Sequence, residues 1–112
     1  MAERIDAALL DRVRAVLADE PLTETELRTL TEQVDALVRV IAAQIQASEA
    51  HLSALADEPA SSLTVIADEL QRVETLRPRL AEARSLVADL EARAREVRTA
   101  WLLRQANGTV AG

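Results

Sequence analysis

The single histidine, His51, is the first residue to consider for chemistry, because an imidazole can act as a general base or as a metal ligand. Either role needs partners one helical turn away, to orient the ring or to share a metal ion. Glu49 is only two residues before His51, and the positions four residues before and after it are Ala47 and Leu55. The sequence therefore predicts a surface histidine near the C-terminal end of a helix, where a protonated ring suits the helix dipole.

Three pairs of adjacent acids could indicate carboxylate catalysis or a divalent-cation site: Asp19-Glu20, Asp57-Glu58 and Asp68-Glu69. Metal sites in helical bundles, however, use inward-facing carboxylates three or four residues apart on several helices. Adjacent side chains on a helix point about 100° apart, so these pairs do not converge on one ion. Turn and cap chemistry is the better interpretation. We predict no catalytic residue, no metal site and no cofactor.

Two absences exclude further chemistries. The chain has no cysteine, which rules out thiolate metal sites and disulfides. Its two glycines are Gly108 and Gly112, so no internal glycine-rich loop can cradle a phosphate, and no serine has a nucleophile elbow around it. No small-molecule substrate is evident from the sequence.

Arginines make the last third of the chain locally basic, at positions 77, 79, 84, 93, 95, 98 and 104. Acids at positions 82, 89, 91 and 96 interleave with them, and Trp101 is the only aromatic residue that could stack on a base. The net charge of the whole chain is −6, whereas phosphate binding needs clustered positive charge. We therefore predict no nucleic-acid partner.

Composition predicts an all-α protein that forms a single helical domain over residues 1–112. Of the 112 residues, 22 are Ala, 17 are Leu, and all 13 basic residues are Arg. These types favour helices, whereas sheets draw on aromatic and β-branched residues and on turn glycines. The Ala-rich, Arg-only usage indicates a GC-rich bacterial genome.

The sequence also bears on location. The chain starts Met-Ala-Glu-Arg, which lacks the apolar core of a signal peptide. No stretch without a charged residue is longer than nine residues, the length of 40–48, which is too short to span a membrane. We expect a cytoplasmic protein with no membrane partner.

Apolar spacing predicts two helices in the first half of the chain. The first covers about residues 5–18, with the apolar stripe Ile5, Leu9, Val13, Val16 and Leu17. The second covers about 24–56, starts with a capping box of Thr23 and Glu26, and has a longer stripe. Its members are Leu27, Leu30, Val34, Leu37, Ile41, Ile45, Ser48, Leu52 and Leu55. The sequence Ala-Asp-Glu-Pro occurs at 18–21 and 56–59 and marks both connectors, with Ser61 or Ser62 as the next cap.

The third helix is predicted over about residues 62–106, with a frayed tail at 107–112 after a stop at Asn107-Gly108. Its stripe is Leu63, Ile66, Leu70 and Val73 before Pro78, and Leu76, Leu80, Ala83, Val87, Leu90, Ala94, Val97 and Trp101 around and after it. The two parts are out of phase close to the proline, which indicates a kink or a break there. We favour an elongated antiparallel hairpin, a three-helix coiled-coil-like bundle whose last helix is kinked near Pro78. The alternative is a four-helix bundle broken at Pro78.

In the elongated form the second helix covers the third only to about residue 95, so Trp101, Leu102 and Leu103 project beyond it. Trp is the residue type most enriched at binding hot spots. We therefore predict a partner interface formed by Val97, Trp101, Leu102 and Leu103. The alternative is that Trp101 packs against the first helix within the same chain.

These features together predict a non-enzymatic helical module for protein–protein interaction or oligomerisation, acting as an adaptor or structural subunit of a larger assembly. Its partners would be proteins, in a homo-oligomer or a hetero-complex formed by helix packing. Two alternatives stay open. One is a regulatory partner of a separately encoded enzyme, and the other is a small helical-bundle enzyme whose site forms between subunits.

Overall fold

Three helices account for the architecture. The computed structural model describes the backbone of residues 2–18 and 22–111, and the side chains of 7–18 and 22–108. These residues form α1 (Ala2–Ala18), α2 (Glu24–Asp57) and α3 (Leu63–Ala111), and no strand. α2 and α3 pack as a long antiparallel hairpin, and α1 folds back against the end opposite the turn. The molecule measures 79 × 23 × 16 Å, which confirms the predicted elongated all-α bundle.

The start of α2 has the predicted capping box. The hydroxyl of Thr23 accepts a hydrogen bond from the backbone N–H of Glu26 at 3.1 Å. A carboxylate oxygen of Glu26 accepts from the backbone N–H of Thr23 at 3.4 Å. Together these bonds satisfy backbone donors that the first helical turn leaves free. Residues 19–21 of the preceding connector lie outside the described residues, as does the side chain of Ile5.

The connector between α2 and α3 also has the predicted chemistry. The backbone leaves the helix at Glu58, which is extended and whose N–H donates to the carbonyl oxygen of Leu55 at 3.2 Å. After the turn, the hydroxyl of Ser62 accepts from the N–H of Thr64 at 3.2 Å, so Ser62 rather than Ser61 caps α3. The hairpin therefore needs no glycine at its turn.

The buried face of α2 confirms the predicted stripe. Its buried residues are Leu27, Leu30, Val34, Leu37, Ile41, Ile45 and Ser48. All of them were expected from the three- and four-residue spacing, including the one polar member, Ser48. Leu52 is partly buried further along the same face.

The predicted stripe of α3 is wrong at Leu63 and Leu70 but right at Ile66, which is partly buried. Leu63 is 84% exposed and Leu70 is 51% exposed, whereas Glu69 is 9% exposed and faces α2. When Glu69 replaces Leu70, buried and partly buried positions from Ile66 to Val97 follow alternating steps of three and four: Ile66, Glu69, Val73, Leu76, Leu80, Ala83, Val87, Leu90, Ala94 and Val97. The apparent phase slip near Pro78 came from assigning the apolar residue, not the acid, to the seam.

α3 accordingly continues through Pro78 as one helix, and the four-helix alternative is wrong. Proline removes a backbone donor, which leaves the carbonyl oxygen of Glu74 without its helical partner. Pro78 and Glu74 are both exposed, so water can hydrate that carbonyl. A proline on the solvent side of a long helix is therefore compatible with an unbroken seam on the other side.

The C-terminal end of α3 differs from the prediction as well. The helix does not stop at Asn107-Gly108 but continues to Ala111. A glycine stop requires a positive φ at the glycine, and no glycine among the described residues has one. Gly108 therefore remains helical, and the predicted frayed tail over 107–112 is wrong as far as Ala111.

Buried apolar residues form two clusters along the rod. The three-helix cluster takes residues from all three helices: Val13, Val16, Leu27, Leu30, Val34, Ala83, Leu86 and Leu90. The two-helix cluster takes its buried residues from α2 and α3 alone: Leu37, Ile41, Ile45, Val73 and Leu76. Leu86 was not predicted to be buried. It lies one turn beyond Glu82, which forms an ion pair with Arg14 of α1, so α1 widens the buried face of α3 there.

Candidate functional site

The candidate site is the C-terminal part of α3, beside and beyond the start of α2, and we call residues 98–108 the free end. α3 has 49 residues and α2 has 34, so α3 is roughly 22 Å longer at 1.5 Å per residue. The start of α2 lies beside α3 at residues 97–104, where Leu22, Thr23 and Glu24 line a groove together with Trp101. Every residue of the free end is exposed. α3 therefore extends past the start of α2, but only from about Arg104 onward, and not from about residue 95 as predicted.

The four predicted interface residues have different environments. Val97 is partly buried and packs against the three-helix cluster, so it supports the core. Trp101 is 52% exposed, Leu102 is 52% exposed and Leu103 is 60% exposed. Successive residues on a helix point about 100° apart, so these three side chains cover the front and both sides of the free end.

Trp101 rests with one side in a groove of about 590 Å³. The start of α2 forms one wall, with Leu22, Glu24 and Glu26, and α3 forms the other, with Val97 and Arg104. No described residue of α1 lines this groove. The structure therefore does not support packing of Trp101 against the first helix, and it leaves half of the side chain available for contact.

The free end differs in charge from the residues beside it. Residues 97–112 contain Arg98 and Arg104 and no acid, whereas Glu24 and Glu26 stand across the groove. Glu26 is held by the capping box with Thr23. The side of the groove next to α2 is thus acidic, and the projecting helix is basic.

A polar cluster in the seam between α2 and α3 contains His51, for which the sequence suggested no partner. His51 Nδ1 lies 3.4 Å from a carboxylate oxygen of Glu69, and the guanidinium of Arg72 lies 3.6 Å from the same oxygen. A hydrogen bond with Ser48 is the main cause that lowers the pKa of Glu69, and His51 and Arg72 lower it further against the opposing effect of burial. The other carboxylate oxygen, Oε2, is buried without a hydrogen-bond partner.

This cluster was missed because the partners belong to different helices. Glu69 is assigned to the seam only when the step pattern of α3 is continued backward from Val73, which requires a charged residue to be accepted at a buried position. Ser48 in the stripe of α2 was the available indication, since a buried hydroxyl needs a polar neighbour. The arrangement ties α2 to α3 and sets their register.

The described residues also show two absences. They contain no group of three or more His, Asp or Glu side chains that could hold a metal ion. Within the same residues, no helix has a window both long enough and apolar enough to cross a membrane.

Comparisons of the chain with protein-family models, with curated proteins and with solved structures found no match. The function is therefore inferred from the surfaces of the chain itself.

Proposed function

We propose that this protein is a non-enzymatic helical interaction module, an adaptor or structural subunit of a larger assembly, and that it makes its contact through the free end of α3. The observation that carries the proposal is the exposure of Trp101, Leu102 and Leu103 on a helix segment that the start of α2 flanks at Trp101 but does not cover. Full burial of one large apolar side chain contributes about 1.5–3 kcal/mol. Trp101, Leu102 and Leu103 are about half exposed, so docking would gain about half of that from each, and further contacts with the partner must add to the affinity.

The distribution of these side chains favours a helical partner surface of more than one element. A helix with apolar residues on several sides is stable when it is surrounded. A flat surface would cover one of the three side chains and leave the others in water. A groove between two helices covers all three, and this is how helix-in-groove recognition works.

Light scattering provides the first test, with a matched control. Trp101→Ala removes a side chain that is 52% exposed at the free end, and Val40→Ala trims one that is 53% exposed in the middle of α2. We expect Trp101→Ala to lower the oligomeric mass and Val40→Ala to leave it unchanged, with similar melting temperatures for both. An unchanged mass together with lower thermal stability for Trp101→Ala would mean that Trp101 is a core residue, and would contradict the proposal.

A second test does not depend on who the partner is. A photo-crosslinking amino acid is placed at position 101 or, as a control, at position 40, and the protein is irradiated in its native cells. We expect adducts from position 101 well in excess of those from position 40. Equal or absent adducts at position 101 would contradict a contact at the free end.

A further inference from the structure

The opposite end of the rod also exposes apolar side chains, and we call residues 52–71 the hairpin end. Leu63 is 84% exposed, Leu70 is 51% exposed and Val65 is 41% exposed. Leu63, Ala67 and Leu70 follow one another at steps of four and three residues, so these three side chains form one stripe along the start of α3. This stripe lies beside the seam that α3 makes with α2, roughly 90° round the helix from it.

The two ends of the rod have opposite charges. The hairpin end contains four acids, two of them Asp57 and Glu58 in the turn, and no arginine. The free end contains Arg98 and Arg104 and no acid. Each end thus combines exposed apolar side chains with charge of one sign, and the signs are complementary.

The two ends also complement each other in the number of helices. The three-helix cluster is covered by α1, whereas the hairpin end has only α2 and α3. The free end is one helix, and of the described residues only those at the start of α2 line a groove with it, at Trp101 and Arg104. Placed against the hairpin end of another molecule, it would supply a third helix there, as α1 does at the other end of the rod.

We infer that the free end of one copy docks on the hairpin end of a second copy, so that the chains associate head to tail. The inference rests on the proposed function and names both the partner and the surface that it offers. Arg98 and Arg104 meet Asp57 and Glu58 of the partner copy, while Leu102 and Leu103 pack on the stripe of Leu63 and Leu70.

A head-to-tail contact uses two different surfaces, so each molecule retains one unoccupied end and the assembly grows as an open chain. The overlap is short, since the free end has about three helical turns. Small interfaces give weak association, so we expect the average mass to rise with protein concentration.

Mixing two variants, each defective at one end, tests the geometry. Leu102→Ser with Leu103→Ser removes the free-end contact, and Leu63→Ser with Leu70→Ser removes the contact at the hairpin end. We expect each variant alone to be monomeric by light scattering. A one-to-one mixture restores association but stops at the heterodimer, because each variant retains one intact end. Restored association also shows that both variants are folded, and Val40→Ser serves as the control that keeps the wild-type mass.

The outcomes separate this inference from the proposed function. If the hairpin-end variant keeps the wild-type mass while the free-end variant is monomeric, the contact joins two free ends, so head-to-tail docking is wrong and the proposed function stands. If the wild-type chain stays monomeric at its highest soluble concentration, self-docking is wrong, and crosslinking from position 101 still tests the contact with another protein. If both variants keep the wild-type mass, neither end is an interface for self-association.

Salt dependence tests the charge argument. At 1 M salt the screening length falls to about 3 Å, so head-to-tail docking should weaken and the average mass at fixed concentration should fall toward that of the monomer. Trp101 emission should shift to longer wavelength at the same time, because release of the free end exposes this side chain to water. Trp101 is the only aromatic residue in the chain, so the emission reports on this site alone. An average mass that is unchanged or higher at 1 M salt would overturn the ionic part of the contact.

Discussion

The three-helix cluster and the two-helix cluster are built on the same pair of helices but exclude water to different degrees. In the first, Val13, Val34 and Leu90 have no exposed surface. In the second, every buried residue keeps 4–8% of its surface exposed, for example Ile45 at 7% and Leu76 at 8%. α1 contributes buried residues to the first cluster, whereas it reaches the second only with the partly buried Leu9 and Leu10. α1 therefore shields the hairpin seam from water mainly at the end opposite the turn.

A pair of matched substitutions measures the difference between the clusters, and it has the largest expected effect. Leu90 and Leu76 are both on α3, two heptads apart, and belong to the three-helix and the two-helix cluster. Leu90→Ala should lower the free energy of unfolding by about 4 kcal/mol, because rigid packing on all sides preserves the cavity. Leu76→Ala should lower it by about 2–3 kcal/mol, since water reaches that site and neighbours can relax. Urea denaturation followed by circular dichroism at 222 nm measures both, and equal losses would mean that α1 does not tighten the core.

Pro78 lies in sequence between the α3 residues of the two clusters, and replacing it tests whether the clusters unfold together. Pro78 is exposed, so Pro78→Ala removes no packing. It restores a backbone hydrogen bond and should raise stability by up to about 3 kcal/mol, the difference in helix propensity. Native-state hydrogen exchange should show slower exchange at the hairpin end, because α3 would then transmit the stability of the three-helix cluster. An unchanged or lower stability would show that the proline is needed for the fit of α3 to α2.

The polar cluster around Glu69 makes the stability of the two-helix region depend on pH. The pKa of Glu69 is lowered from its ordinary value of 4.5, so the ionised carboxylate favours the folded state. This contribution is fully present above about pH 4.5 and is lost as the pH falls through the lower pKa of the folded state. Glu69→Gln should therefore melt at a lower temperature than the wild type at pH 7, and the gap should close below pH 4.5.

Glu96→Gln is the control for this smallest effect, because the Glu96 side chain is 72% exposed and meets Arg93 only at 3.9 Å. Its melting temperature should follow that of the wild type across the same range of pH. A gap between wild type and Glu69→Gln that stays constant down to acidic pH would show that the charge of Glu69 does not contribute to stability.

Particular residues show where prediction from sequence worked. The stripe of α2 and the capping box at Thr23 were predicted correctly, because both depend on residues within a few positions of one another. The exposure of Trp101, Leu102 and Leu103 was also expected, since it follows from the difference in length between two helices. The partner of His51 and the burial of Leu86 were not, because each depends on a side chain from another helix.

By itself, the sequence determined that the chain is helical and that α3 extends beyond its partner. It also determined where α2 begins and where the turn between α2 and α3 lies. Local hydrogen bonds, helix propensity and periodic spacing are sufficient for these properties. Only the tertiary structure decided which face of α3 turns toward α2. That choice buries Glu69 and exposes Leu63 and Leu70, because the seam must run unbroken to Leu90 and Val97, where most apolar surface is buried. Burial of the long apolar seam outweighs the cost of burying one acid, whose charge Ser48, His51 and Arg72 stabilise. The unbroken helix through Pro78 follows from the same choice of face.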